Sequence, residues 1–529
     1  MRASRRGFLM LGVCVIILLM VAVAYFFSEM MLVENVASNG AIRGQQSRLL
    51  ADSGAEYVLS QFSKAHVGGT PRELSSNRFA DLEMPSWGED GRGRFHLAYW
   101  NARAQKWAAG IAYESAKLNL NRLPLEAKFA PEARRMLMCI PSVSPSMADA
   151  ILDWLDQDDV PREFGAESNY YQSQREGGRA RNRPLDQLDD LLGVRNMTPE
   201  LLYGDGGVSK WLSPRVGVRS NTGNLRNSTL QSEDELPLEF FLTVYGGESI
   251  FRANGAPKTL LNQEDLPALY DELANEFGQD VAAYVVVYRM SGPQDKSLLP
   301  QASLLEDAQA ATRQRAANQI ESGQRTEPNP IERESVSRGP LTISSPGIFR
   351  IHSLYDLVGV NVEHQSEQGM IQFQSPWPAE EKTYQETLPA LQEKFSCVLG
   401  APVSIQIDVN HAPDSVLRAI PGLSEELANS IIQTRKSLGI ATAINGASPA
   451  RRISPGIDWL RSSGCLDLEQ MRLFAPYLTP HGNAVRFVSA GITAPTATTT
   501  FCEFVMDLRY KPGRVALRRP LMGFAADVD

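Results

Sequence analysis

The chain has 529 residues, 43% of them hydrophobic and 21% charged, enough to bury cores in roughly two to four domains. Its 52 Lys and Arg stand against 61 Asp and Glu, a formal net charge of −9, which argues against a nucleic-acid binder because affinity for a polyanion comes from basic surface. Cys14 lies in an apolar run; Cys139, Cys397, Cys465 and Cys502 could pair in an oxidising compartment, yet their spacing fits no framework or metal pattern and they read as buried free thiols.

Arg2, Arg5 and Arg6 precede an uncharged run from Phe8 to Phe27. At about 1.5 Å per residue, a helix of that length crosses the roughly 30 Å hydrocarbon core of a bilayer. The arginine bias keeps the N-terminus cytoplasmic and sends the rest across, so the expectation is a single-span protein with a large extracytoplasmic part. A cleaved secretory signal would be shorter and end in small residues, whereas Ser28-Glu29-Met30-Met31 follows here. A plain signal anchor stays open. A third reading is more specific: Gly7 closes a short basic leader directly before Phe8, which resembles the type IV prepilin (class III) signal. That resemblance implies a prepilin peptidase cutting between Gly7 and Phe8, with N-methylation of Phe8. Pilins usually carry Glu at the fifth mature position, where this chain has Gly12; within the family that departure is typical of the K-type minor pseudopilin.

Residues 28 to about 64 continue as a helix without Pro, with Ala51, Ala55, Val58, Leu59 and Phe62 at helical spacing. Val67-Gly68-Gly69-Thr70-Pro71 ends it. Alternation over 93–113, with a polar turn around Asn101, predicts a strand pair packed on that helix.

A repeat begins near Lys117. Leu118-Asn119-Leu120-Asn121 leads to Ile140-Pro141-Ser142-Val143-Ser144 and a helix carrying Ala148, Ile151 and Leu152. Some 280 residues along, Ile407-Asp408-Val409-Asn410 leads to Ile420-Pro421-Gly422-Leu423-Ser424, with Ala428, Ile431 and Ile432 at the same offsets. A weaker copy lies between them: Leu260-Leu261-Asn262, then the stretch from Leu266 to Phe277, then that from Asp280 to Arg289 with Ala282. The pattern reads as helix-hairpin-helix units with turns at Pro141, Ser142 and at Pro421, Gly422, in which Asn closes the entry turn and Ala lets the helices approach. Such hairpins can hold a DNA phosphate on their amides. Here Ser142, Ser144 and Ser424 replace hairpin glycines, and Arg435 and Lys436 are the nearest bases after the later turn, so a packing module is favoured over DNA binding.

Between the copies run Asp153-Trp154-Leu155-Asp156-Gln157-Asp158-Asp159, Gly165-Ala166-Glu167-Ser168-Asn169-Tyr170-Tyr171 and Asn182-Arg183-Pro184-Leu185. In that order they resemble the K protein of the type II (general) secretion pathway, a minor pseudopilin family, over residues 1–215 and about 400–490. The resemblance implies the I- and J-type minor pseudopilins, prepilin peptidase and inner-membrane lipid as partners. Carboxylates at this density suit a hard cation, and Asp153, Asp156, Asp158 and Asp159 are candidate calcium ligands beside the reading of a solvated acidic loop. Calcium in the head is what the family resemblance adds.

The expected organisation is a leader at 1–7, the membrane and pilin-like helix at 8–64, the start of an α+β head at 65–116 and a first hairpin domain at 117–215. An inserted α/β stretch follows at 220–290, then a flexible linker at 291–340, a strand-containing segment at 341–400, a second hairpin domain at 401–480 and strands closing the head at 481–529. Gly347–Ile351 and Met370–Phe373 read as strands. No phosphate loop, nucleotide fingerprint or nucleophile elbow occurs, and the six histidines are scattered, so no catalysis is expected. The fold class is therefore α+β, a long pilin-like helix with a small antiparallel sheet and inserted helical hairpin domains. The function that the resemblance to the K protein implies is a K-like cap of a pseudopilus tip that helps start its assembly. A membrane-anchored hairpin DNA receptor of the competence type is the alternative, and a tethered scaffold of another envelope process a third possibility.

Overall fold

The computed structural model describes residues 4–65, 82–84, 93–101, 106–126, 129–174, 177–204, 233–249, 251–252, 254–295, 298, 336–338, 341–343, 347–366, 369–397, 405–439, 456–480, 482–493, 498–510 and 512–521. The helix-ending run at 67–71 and most of the expected linker lie outside these residues.

Helix α1 (Ser4–Ala65) runs unbroken for 62 residues. Its apolar stretch is exposed, and α1 is long and apolar enough to cross a membrane. Further along, the helix turns one face inward: Ala51, Ala55 and Val58 recur at helical spacing and are buried. They meet a seven-stranded sheet built from β1 (Leu82–Met84), β2 (Gly93–Asn101), β3 (Lys106–Ala109), β4 (Ala112–Tyr113), β5 (Ala484–Thr493), β6 (Thr498–Asp507) and β7 (Arg514–Leu521). The main order is β1-β2-β5-β6-β7, with β3 on β2 and β4 on β5, and every pairing is antiparallel. Alternate residues of the strands, Phe95 and Leu97 on β2, Val485 and Phe487 on β5, and Cys502, Phe504 and Met506 on β6, fill the space under the helix.

Helix and sheet approach closely because small residues line the contact. A Cβ at Gly491 would stand 2.1 Å from the Ser47 carbonyl oxygen and 2.4 Å from the Ala51 nitrogen. A Cβ at Gly54 would stand 2.2 Å from Ser489 Oγ. Side chains on either surface would force the two apart.

The chain leaves this sheet at β4 and returns at β5, and these two strands pair with each other through Tyr113 opposite Val485. The helical part of the molecule is thus inserted between two hydrogen-bonded strands. It contains three related units. Each opens with a two-residue strand, continues through a helix pair and closes with a parallel partner strand: Leu118–Asn119 with Leu242–Thr243, Thr259–Leu260 with Phe395–Ser396, and Ile407–Asp408 with Leu478–Thr479. The helix pairs are α2 (Ala130–Met138) with α3 (Pro145–Leu155), α4 (Leu266–Phe277) with α5 (Gln279–Ser291), and α6 (Asp414–Arg418) with α7 (Glu425–Ser437).

One asparagine ties each unit together. Asn121, Asn262 and Asn410 donate from Nδ2 to the carbonyl just past the returning strand, at Val244 (3.3 Å), Cys397 (2.7 Å) and Pro480 (2.7 Å). Asn121 and Asn262 also bind the backbone of Leu185 and Ile351, respectively, through both the amide and the carbonyl of the side chain. A side-chain amide held at both ends fixes the entry loop against the closing strand. The entry turns themselves are capped two positions earlier, by Asn119 Oδ1 accepting from the Asn121 N–H and by Asp408 Oδ1 accepting from the Asn410 N–H. The unit at 259–397 retains this plan, although its helix pair turns at Gly278 without the Pro-x hairpin of the other two.

Two sequence expectations need correcting. Residues 347–351 form no strand; the N–H groups of Ile348 and Phe349 donate to the Arg289 carbonyl, and that of Ile351 to Asn262 Oδ1, so their backbone is committed to the helix pair and not to a ladder. All five cysteines are free, but only Cys465 and Cys502 are buried; Cys139 and Cys397 are half-buried and Cys14 is exposed on α1.

Candidate metal centre

The α2–α3 hairpin positions the acidic residues. Ser144 caps α3 by accepting from the Met147 N–H, and Pro145 occupies the first turn, where a missing N–H costs nothing. Met147, Ala148, Ile151, Leu152 and Leu155 face the core. Asp149 and Asp153, one turn apart, lie on a second face and are buried as well. Asp149 accepts from the Phe164 N–H at 3.1 Å and pairs with Arg134 at 3.2 Å, which pins the far end of the following loop. That loop then passes so close to α3 that a Cβ at Gly165 would stand 1.8 Å from Asp153 Oδ2. Beyond it, Tyr171 packs edge-on against Trp154 with centroids 5.0 Å apart.

This path brings Asp153, Asp156 and Glu167 together. One oxygen from each lies within 4.8 Å of the others, and the residues are 0%, 6% and 2% exposed. Arg162 touches the two aspartates: its Nη1 donates to Asp153 Oδ1 at 2.6 Å and to Asp156 Oδ2. Both oxygens of Glu167, and Asp156 Oδ1, are buried with no hydrogen-bond partner. Burial pushes the Asp153 and Asp156 carboxyls upward against the opposing pull of Arg162. Glu167 is pushed up to about 8 by burial and then by the charges of Asp153, Asp156, Asp159 and Asp158.

Orphaned buried carboxylate oxygens pointing at other carboxylates are what a hard divalent cation relieves. The donor set is all oxygen and carries two negative charges net of Arg162 when ionised, which fits calcium in kind and in charge. Bound there, the ion would be held by Asp153, Asp156 and Glu167.

The other expected ligands sit apart from this triad. Asp158 Oδ1 accepts from the Val160 N–H at 2.9 Å, and Asp159 Oδ1 accepts from Ser168 Oγ and Asn182 Nδ2 at 2.7 and 3.1 Å. Both shape the loop. Glu167 is not among the residues expected from the aspartate spacing; it stands in the run Gly165-Ala166-Glu167, a carboxylate behind two small residues that let the backbone press against α3. Of the processing residues, Gly7 and Phe8 lie in the first turns of α1, and Gly12 is exposed with open space around it. At the hairpins, Pro141 is half-buried and Pro421 buried, while Ser142 and Gly422 are exposed. Arg435, one of the two bases after the later hairpin, is fully buried and donates to the carbonyls of Val409 and Ala412 and to Asp414, while Lys436 pairs with Asp414 at 3.3 Å. Neither offers the free basic grip that a DNA backbone needs.

Residues 116–203, which contain the hairpin and the whole acidic centre, match the family model described as "Type II secretion system (T2SS), protein K". Over those residues the chain is similar to the type II secretion system protein K domain. A solved chain from the GspK-GspI-GspJ complex of the enterotoxigenic Escherichia coli type 2 secretion system is similar at 11% identity, covering 92% of this chain and 100% of that one with a TM-score of 0.31. No curated protein matches the chain.

Proposed function

We propose that this protein is a K-type minor pseudopilin that caps the tip of a type II secretion pseudopilus and helps initiate its assembly. The carrying observation is the protein K domain at 116–203, inserted between paired strands of a sheet that packs on a long apolar-ended helix. On this reading α1 anchors the protein once in the inner membrane and bundles with the helices of other pseudopilins, while the head lies in the periplasm. The inserted helical units make the head too bulky for another subunit to stack above it, and Gly12 suits a subunit with no neighbour to neutralise. The role is structural and involves no catalysis. The I- and J-type minor pseudopilins are the partners. The acidic centre holds calcium through Asp153, Asp156 and Glu167 and fixes the loop that follows α3.

The test is the mature N-terminus. Full-length protein co-expressed with a prepilin peptidase should begin at N-methylated Phe8, and a Gly7→Ala control should keep Met1; the processed form should co-purify with I- and J-type subunits. An intact Met1 end under conditions that process a known prepilin would overturn the assignment.

A further inference from the structure

The acidic centre contains a cation of its own. Besides the two Nη1 contacts, the Arg162 backbone N–H donates to Asp153 Oδ1 and Oδ2 at 3.3 and 3.2 Å, so residue 162 engages one carboxylate with both main chain and side chain. The bridging position between Asp153 Oδ1 and Asp156 Oδ2 is also where a divalent ion would draw its ligands. We propose that Arg162 is a built-in competitor for that ion: its guanidinium holds the carboxylates together while no ion is bound, and thereby lowers the affinity with which one binds. This rests on the reading of the acidic centre as a cation site.

Three observations carry the inference. First, the guanidinium is incompletely satisfied, since Arg162 Nε is buried without a partner. A permanent buried ion pair is stabilising only when its remaining polar atoms are also bonded. Second, the arginine leaves one carboxylate unserved. Glu167 takes no hydrogen bond from it, so one guanidinium faces three carboxyl groups and both oxygens of Glu167 stay buried without a partner. Third, the Arg162 side chain retains 16% exposure while Asp153 has none, which leaves the guanidinium a way out toward solvent when an ion arrives. A positive charge fixed this close to a bound divalent ion also repels it, whether or not the arginine swings away.

The experiment compares full-length wild type, Arg162→Gln, Arg162→Lys and Glu167→Gln in detergent, by calorimetric titration with calcium chloride and by melting in chelator and in calcium. Arg162→Gln should bind calcium roughly tenfold or more tightly than wild type. It should melt lower in chelator, and calcium should raise its melting temperature further than it raises that of wild type. Arg162→Lys keeps the charge and loses the fork, and its affinity should fall between the two. A glutamine variant that folds only in calcium supports the proposal in its strongest form; if that variant folds in neither condition, the lysine variant decides by the same criterion. Calcium bound by wild type but no more tightly by Arg162→Gln, or more weakly by Arg162→Lys, overturns the role of Arg162 alone. Absence of any calcium heat or melting shift in wild type, matching Glu167→Gln, overturns the cation site and this proposal with it.

Discussion

Ser142 and Gly422 hold the same place in two helical hairpins, with φ of 65° and 71°. The surrounding hydrogen bonds repeat as well: the Val143 N–H donates to Ile140 and the Leu423 N–H to Ile420, both at 3.3 Å. Both turns thus need a left-handed residue, and only one has glycine there. A serine in this conformation costs about 1 kcal/mol, partly offset in any replacement by the greater freedom of glycine in the unfolded chain. Ser142→Gly should therefore stabilise by a few tenths to about 1 kcal/mol. Gly422→Ala should destabilise by about 1–2 kcal/mol through backbone strain, since its new Cβ would come no nearer than 3.9 Å to Phe474. Melting temperatures of the two variants should move in opposite directions.

The repeat was legible in sequence because its anchors are local: a capping Ser, a turn residue and an Ala at constant offsets. The weaker middle copy was recognisable from Leu260-Leu261-Asn262 and Ala282, although it lacks the Pro-x turn. Asn262 and Arg289 are joined in the structure, with Arg289 Nη1 donating to Asn262 Oδ1 at 3.0 Å. What sequence could not show was convergence across loops. Asp153 and Asp156 follow from helix spacing, but Glu167 reaches them only because Gly165 lets the backbone cross α3, and spacing alone gives no sign of that. For the same reason, Asp158 and Asp159 looked equivalent to their neighbours, yet the chain turns away after Asp156 and spends their oxygens on loop hydrogen bonds. The segment at 347–351 read as a strand by composition; its partner is the end of a helix, which a pattern of alternating residues cannot reveal.

The contact between α1 and β5 predicts a severe local effect. Gly491→Ala would place a methyl group against the Ser47 carbonyl and the Ala51 nitrogen, both backbone atoms that cannot rotate aside. Helix and sheet would have to separate, loosening Ala51 and Ala55 from Phe95 and Phe487. A loss of about 2–4 kcal/mol is expected. Limited proteolysis after α1 should show it as faster release of the head from the helix, with the inserted units intact.

Glu114 sets an acid limit on the junction between sheet and insertion. It is fully buried, receives hydrogen bonds from Lys117 and Arg486 at 2.8 Å each, and is also bonded by Thr243 Oγ1. Burial alone would raise its carboxyl; the charges of Arg486 and Lys117 and their hydrogen bonds outweigh that and hold it down at about 2. A depressed folded value means the stabilisation is complete above the unfolded value near 4.5 and is lost as pH falls through that range toward 2. The contribution at neutral pH is of the order of 3 kcal/mol. Glu114→Gln should lower the melting temperature at pH 7 and flatten its decline between about pH 4.5 and 2, which a pH series of melts would read directly.

Gly165 tests whether the acidic centre depends on the loop crossing. A methyl group there would overlap Asp153 Oδ2, and because that oxygen belongs to a carboxylate held by Arg162 and by the turn itself, the loop must yield. Moving the loop outward also carries Glu167 away, since only one residue separates it from Gly165. Gly165→Ala should thus weaken calcium binding by roughly tenfold or more while leaving α3 and its packing on α2 in place. Calcium titration followed by melting would give a smaller rise than wild type, while far-ultraviolet circular dichroism stays unchanged. A calcium response equal to wild type would mean that Glu167 holds no ion.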